Sequence, residues 1–195
     1  MAIKTKKDLK EYLRKDKSRY PASSWINYNL KLMLGEESAR MILLLTVLRK
    51  FEYYDNLNNS SFFKRILRLY YKARLLRLSS KYHVYIQPHL VGPGLRIVHI
   101  GGAIHINCKK MGEDCTVSAG VIIGKNKTED CKPEIGNNCD FSIGCKVIGK
   151  VKIGNNCTVA PNSVVVKDIP DNCIASGVPS KIISCDGMKI FSFYQ

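Results

Sequence analysis

Large apolar residues recur every six positions from Met111 to Val165, and few folds accommodate that period. Met111, Val117 and Ile123 share one register; after a twelve-residue interval it resumes at Ile135, Phe141, Val147, Ile153, Val159 and Val165. Four places further on, the same frame holds small residues: Cys115, Val121, Cys139, Cys145, Val151, Cys157 and Ser163. Turn formers fill the gaps, as in Ile135-Gly136-Asn137-Asn138-Cys139 and Ile153-Gly154-Asn155-Asn156-Cys157. An amphipathic helix repeats at 3.6 residues and a plain strand at 2, so neither gives this period. A short strand that buries one side chain and then turns a corner does, and the pattern predicts a parallel β-helix. The expected fold class is therefore mainly β, with about five coils if three hexads close one triangular turn.

Residues 1–81 read instead as a basic helical subdomain, followed by a β-helix over 82–183 and a tail over 184–195. Pro21-Ala22-Ser23-Ser24 is the expected start of one helix, and the run Ile42–Leu48 is apolar nearly all round, as a buried helix requires. A turn is expected over 55–60. A second long helix carries Phe62, Ile66, Leu69, Tyr70, Ala73 and Leu76 at three- and four-residue steps, with Lys64, Arg65, Arg68, Lys72 and Arg77 interleaved. The apolar Ile190–Tyr194 stretch is expected to cover the open end of the β-helix or to meet a neighbouring subunit.

Of the net charge of +15, residues 1–81 supply most, with 19 Lys+Arg against 7 Asp+Glu. Such an arm suits either a solvated helical surface or peripheral contact with a membrane surface. No nucleic-acid motif accompanies it, and no nucleic-acid partner is expected. The N-terminus runs into charge without a signal-peptide core, and the longest apolar stretch, Met41–Leu48, is far short of the roughly 20 residues a spanning helix needs. The expected location is cytoplasmic. All eight cysteines lie at or after Cys108 and none forms a metal-type C-x-x-C pair. Four fill the small inward slot as hydrophobes, and no disulfide framework is expected.

The hexads, together with Leu95-Arg96-Ile97-Val98-His99-Ile100-Gly101-Gly102 and the closing stretches Ser163–Pro170 and Gly177-Val178-Pro179-Ser180-Lys181, resemble the hexapeptide-repeat acyltransferases. The resemblance covers about residues 85–183. It is nearest to the serine acetyltransferase type and its relatives that acetylate capsular and exopolysaccharides. It implies a left-handed parallel β-helix, a homotrimer, and acetyl-CoA bound in the groove between neighbouring β-helices, with no metal.

By the same resemblance His99 is the catalytic base. A hydroxyl is a poor nucleophile until a base takes its proton, and an imidazole with a pKa near 6.5 can take that proton and later protonate the thiolate. His105, six residues on in the same frame, either borders the site or hydrogen-bonds internally. Pro161, Lys167, Gly177 and Lys181 are the expected cofactor residues, the lysines meeting the phosphates of CoA and Gly177 turning tightly beside it.

The departures bear on the acceptor. Where the serine acetyltransferases carry Asp before the catalytic His, this chain has Val98; a second Asp is matched by Tyr85; and the Arg-His pair of the extended loop is replaced by Cys131-Lys132. A zwitterionic amino acid needs partners for both of its charges. The expectation is therefore a sugar hydroxyl of a capsular polysaccharide, an exopolysaccharide or its precursor, contacted by Asp130 and Lys132 in the polar loop over 125–134. Serine O-acetyltransfer is the alternative. A metal-dependent β-helix enzyme of the γ-carbonic-anhydrase sort needs three converging His ligands, and the coils hold only His99 and His105. A non-catalytic scaffold needs neither the polar loop nor His99.

Overall fold

The computed structural model describes residues 3–20, 25–57 and 61–189. Four helices come first: α1 (Lys6–Ser18), α2 (Trp25–Met33), α3 (Glu37–Asn56) and α4 (Phe62–Tyr82). From Val84 the chain is a left-handed parallel β-helix of about five turns. Its first face stacks Val84–Ile86, Ile104–Ile106, Ile122–Gly124, Lys146–Ile148 and Val164–Val165. The second stacks Lys110–Met111, Glu134–Ile135 and Lys152–Ile153, extended by bridges at Val91 and Ile169. The third stacks Arg96–Val98, Thr116–Ser118, Asp140–Phe141, Thr158–Val159 and Cys173–Gly177. That last strand then turns back antiparallel into Ser180–Cys185.

Each level places one apolar side chain directly over the next. Ile106, Ile123, Val147 and Val165 form one column, and Ile97, Val117, Phe141 and Val159 another. All of them are buried, and burying a side chain of this kind contributes about 1.5–3 kcal/mol. The Gly-Asn-Asn turns explain the polar half of the repeat. Asn138 and Asn156 adopt left-handed φ values of 54° and 56°, which Asn tolerates better than most residues. Their amides also form a ladder, Asn138 Nδ2 to Asn156 Oδ1 at 3.0 Å and Asn156 Nδ2 to Asn172 Oδ1 at 2.8 Å. At Gly136 a Cβ would lie 2.6 Å from the Gly154 carbonyl oxygen, so only glycine lets the coils approach there.

One break in the frame falls between the third and first faces of the opening coils. Six residues separate Val117 from Ile123 and Phe141 from Val147, but nine separate Ile97 from Ile106. The three extra residues push the chain outward at His99. His99 and His105 are both exposed, and Ile104 and Ile106 are the buried residues of the strand that follows the corner.

The helices close the first coil. In α3, Met41, Leu44, Leu45, Val47 and Leu48 are buried, as the apolar run predicts. Behind them Arg49 is fully buried among Asp16 at 2.9 Å, Glu52 at 3.1 Å and the carbonyls of Val91 and Gly92 at 2.8 and 2.6 Å. Asp16 also accepts from the Gly94 and Leu95 N–H groups. Burial alone favours a neutral guanidinium, but the charges of Glu52 and Asp16 outweigh it and raise its pKa.

Three expectations need correcting or bounding. Asp55 and Asn56 finish α3 rather than opening a turn. The stretches over 21–24, 58–60 and 190–195, with the predicted cap, the rest of that turn and the apolar tail, lie outside the described residues. A disulfide does form, Cys173–Cys185. The antiparallel turn back from the last strand sets these two residues opposite each other, a pairing that the parallel hexad frame does not anticipate. The inward cysteines behave as expected: Cys115, Cys139, Cys145 and Cys157 are buried free thiols, and burial pushes Cys145 up to about 12. Among the described residues no helix is long and apolar enough to cross a membrane.

Candidate functional site

The corner between the third and first faces carries the most chemistry. Arg96–Val98 ends there, and His99 follows with a left-handed φ of 59° and an exposed ring. Below it the corner is a column of small turns. A Cβ at Gly102 would sit 3.1 Å from the Gly120 nitrogen, and one at Gly120 would sit 3.3 Å from the Gly144 Cα. The coils thus approach one another closely along this corner.

Further down the same corner stands Pro161, exposed. Ser163 ties it to the closing hairpin: its Oγ accepts from the Gly177 N–H at 3.0 Å and lies 3.5 Å from the Pro161 carbonyl. Lys181 pairs with Ser176 in that hairpin and is exposed. His99, Pro161, Gly177 and Lys181 thus share one edge of the first face. Lys167 does not join them. It sits where the first face turns into the second, beside Asp168, whose carboxylate accepts from the Lys152 N–H at 2.7 Å.

Asp130 and Lys132 belong to that second corner too. The polar loop folds on itself, with Asn126 N–H to Cys131 O at 3.1 Å and Cys131 N–H to Thr128 O at 3.1 Å. Lys132 is held by Glu129 at 2.5 Å, and Lys125 reaches the same carboxylate. The hydrogen bonds from Lys125 and Lys132 lower the Glu129 pKa to about 2. Asp130, Lys132, Cys108, Lys109 and Lys150 line a cavity of about 640 Å³. Within one chain this cavity and His99 lie on opposite edges of the first face.

His105 lies between the two corners, on the outer side of that face. Its ring faces Tyr85 at 6.3 Å, and both line a cavity of about 520 Å³ beneath α4 with Lys72, Leu75 and Ser79. It is apart from His99.

One residue escapes the sequence reading. Glu37, in the first turn of α3 and half-buried, takes the His99 backbone N–H on its Oε1. A carboxylate is therefore beside His99 although Val98 replaces the acid that would precede it. The only trace in sequence is an acidic helix start, Gly35-Glu36-Glu37-Ser38, which nothing in its spacing links to a residue 62 positions away. Among the described residues no group of three His, Cys, Asp or Glu side chains is placed to hold a metal ion.

No family model matches the chain. It is 30% identical over 135 residues to a serine acetyltransferase of Bacillus pumilus, covering 67% of this chain and 61% of that protein. It is 31% identical over 126 residues to one of Staphylococcus aureus, covering 62% of this chain and 59% of that protein. The chain thus spans about three fifths of the length of these curated relatives. In fold it is similar to the Brucella abortus serine acetyltransferase solved in complex with coenzyme A, with a TM-score of 0.64 at 21% identity over 91% of this chain and 68% of that one.

Proposed function

The chain is of the hexapeptide-repeat, serine acetyltransferase-like type, and we propose that it transfers an acetyl group from acetyl-CoA to the hydroxyl of a small acceptor, foremost L-serine. The acceptor oxygen attacks the thioester carbonyl while His99 takes its proton. The C–O bond forms, the C–S bond breaks, and the proton passes from the imidazole to the departing thiolate. No acyl-enzyme is needed. Acetyl-CoA would lie along the corner from His99 towards Pro161, Gly177 and Lys181, its phosphates meeting Lys181.

The observation that carries the acceptor is Glu37. The sequence alone argues for a sugar because the acids beside His99 are missing. Glu37 supplies a carboxylate there, suited to an ammonium group, and the serine acetyltransferase relatives point the same way. The sugar hydroxyl is the second reading, and Lys132 favours it. With Glu129 at 2.5 Å, that cation is already neutralised rather than offered to an amino-acid carboxylate.

A homotrimer would suit the same geometry. In a threefold arrangement the His99 corner of one chain can face the Asp130 and Lys132 corner of the next, joining groups that a single chain keeps apart.

The test is thiol release from acetyl-CoA with L-serine set against hexoses, amino sugars and capsule fragments. Serine turnover with kcat/KM above about 10⁴ M⁻¹s⁻¹ supports the first reading. Turnover of a sugar with serine inert selects the second, and no thiol release with any hydroxyl acceptor refutes both.

A further inference from the structure

The apolar stripe of α4 faces away from the protein. At 3.6 residues per turn, Phe62, Ile66, Leu69, Ala73 and Leu76 fall on one side of the helix. The opposite side, with Leu75, Ser79 and Tyr82, meets the core. Phe62 is 72% exposed, Leu69 59% and Leu76 60%. Their neighbours Phe63 and Tyr70 are exposed too, and Phe63 packs edge-on against Phe62 with ring centroids 6.2 Å apart. Such a stripe is larger than the scattered single apolar residues of an ordinary surface.

The charge around it is one-sided. α4 carries seven Lys and Arg residues and no Asp or Glu. By the same helical geometry Lys72 borders one edge of the stripe and Arg77 and Lys81 the other, and all three are exposed. We propose that α4 is a membrane-surface helix: it lies in the headgroup layer of an anionic lipid bilayer, with Phe62, Phe63, Ile66, Leu69 and Leu76 at the acyl boundary and the flanking cations on lipid phosphates. Interfacial helices have this layout, apolar and aromatic residues on one face and Lys or Arg along its sides. A second copy of the chain is a poorer occupant, because its α4 would bring seven more cations against these seven. A nucleic acid offers phosphates but nothing for five apolar side chains.

The proposal is independent of the acetyl-transfer chemistry, and its test does not use activity. The purified full chain is floated with vesicles of phosphatidylcholine alone or mixed equally with phosphatidylglycerol. We expect binding to the mixed vesicles, little to phosphatidylcholine alone, and weakening as salt screens the charges. The triple variant Phe62→Ser/Ile66→Ser/Leu69→Ser removes only exposed side chains and should lower the affinity at least about tenfold, with the far-ultraviolet circular dichroism unchanged. Lys72→Glu/Arg77→Glu/Lys81→Glu should abolish the preference for the anionic lipid. Failure of the wild type to float with mixed vesicles at low salt overturns the proposal. So does equal binding by the triple variant, or sedimentation in which that variant breaks a self-association that occupies the stripe.

Discussion

In the β-helix each level repeats the one beneath it: Val117 rests on Phe141, Ile123 on Val147, and Asn138 hands its amide to Asn156. The helices meet this stack through contacts that are each used once, among them the Arg49 cluster with Asp16 and Glu52 over the open end of the first coil. The stack gains from many equivalent contacts, so losing one should be felt mainly by its neighbours. The helical closure depends on a charge fully withdrawn from water, where removing one partner strands the others. Redundancy makes the first region tolerant and readable; contacts used only once make the second less so.

The largest effects should separate the two regions. Arg49→Met leaves Asp16 and Glu52 buried without their cation and should cost about 3–5 kcal/mol in urea unfolding. Phe141→Ala opens a cavity in the middle of the stack and should cost a similar 3–5 kcal/mol. Amide hydrogen exchange tells them apart. Arg49→Met should expose α1, α3 and the first coil while the coils beyond Val117 keep their protection; Phe141→Ala should loosen the coils around it and leave α3 protected. Uniform loss of protection in both variants breaks the comparison.

A smaller effect is expected from Asn156→Ala, which removes two rungs of the amide ladder and places alanine at a φ of 56°. The loss should be about 0.5–1.5 kcal/mol per hydrogen bond, read as a shift of the urea midpoint with an unchanged slope. The smallest concerns the polar loop. Glu129 titrates at about 2, below its ordinary value, because Lys125 and Lys132 hydrogen-bond to its charged form. Whatever this network gives the fold is present above the unfolded carboxyl value and lost as pH falls through about 2. A carboxyl titration followed by NMR should show that midpoint, and Lys132→Met should move it upward. An ordinary Glu129 midpoint in the wild type would mean the loop is not held in this way.

Much of this was legible in sequence, and for a physical reason. A six-residue apolar period with Gly-Asn-Asn turns satisfies one geometry, so the coils and their inward residues follow from Met111 to Val165. The resemblance points to His99, but its exposed position is not legible, because the three extra residues between Ile97 and Ile106 carry no periodic signal. Glu37 was missed since its nearness to His99 depends on how α3 seats against the first coil. Arg49 was missed for the same reason, and a charged residue in an apolar run reads as exposed. The stripe on α4 was visible as a helical pattern, but spacing cannot say which of two apolar faces the core takes. The Cys173–Cys185 bridge arises from a reversal of strand direction that hexads do not encode.

The central claim is that His99 is the base for acetyl transfer, and one substitution tests it most directly. Single-turnover and steady-state thiol release from acetyl-CoA should be compared for the wild type and His99→Ala with the preferred acceptor, alongside CoA binding by calorimetry. The account predicts a loss of about 10²–10⁴ in kcat with CoA affinity nearly unchanged, since the corner at Pro161, Gly177 and Lys181 is intact. A His99→Ala variant that turns over at the wild-type rate would contradict it.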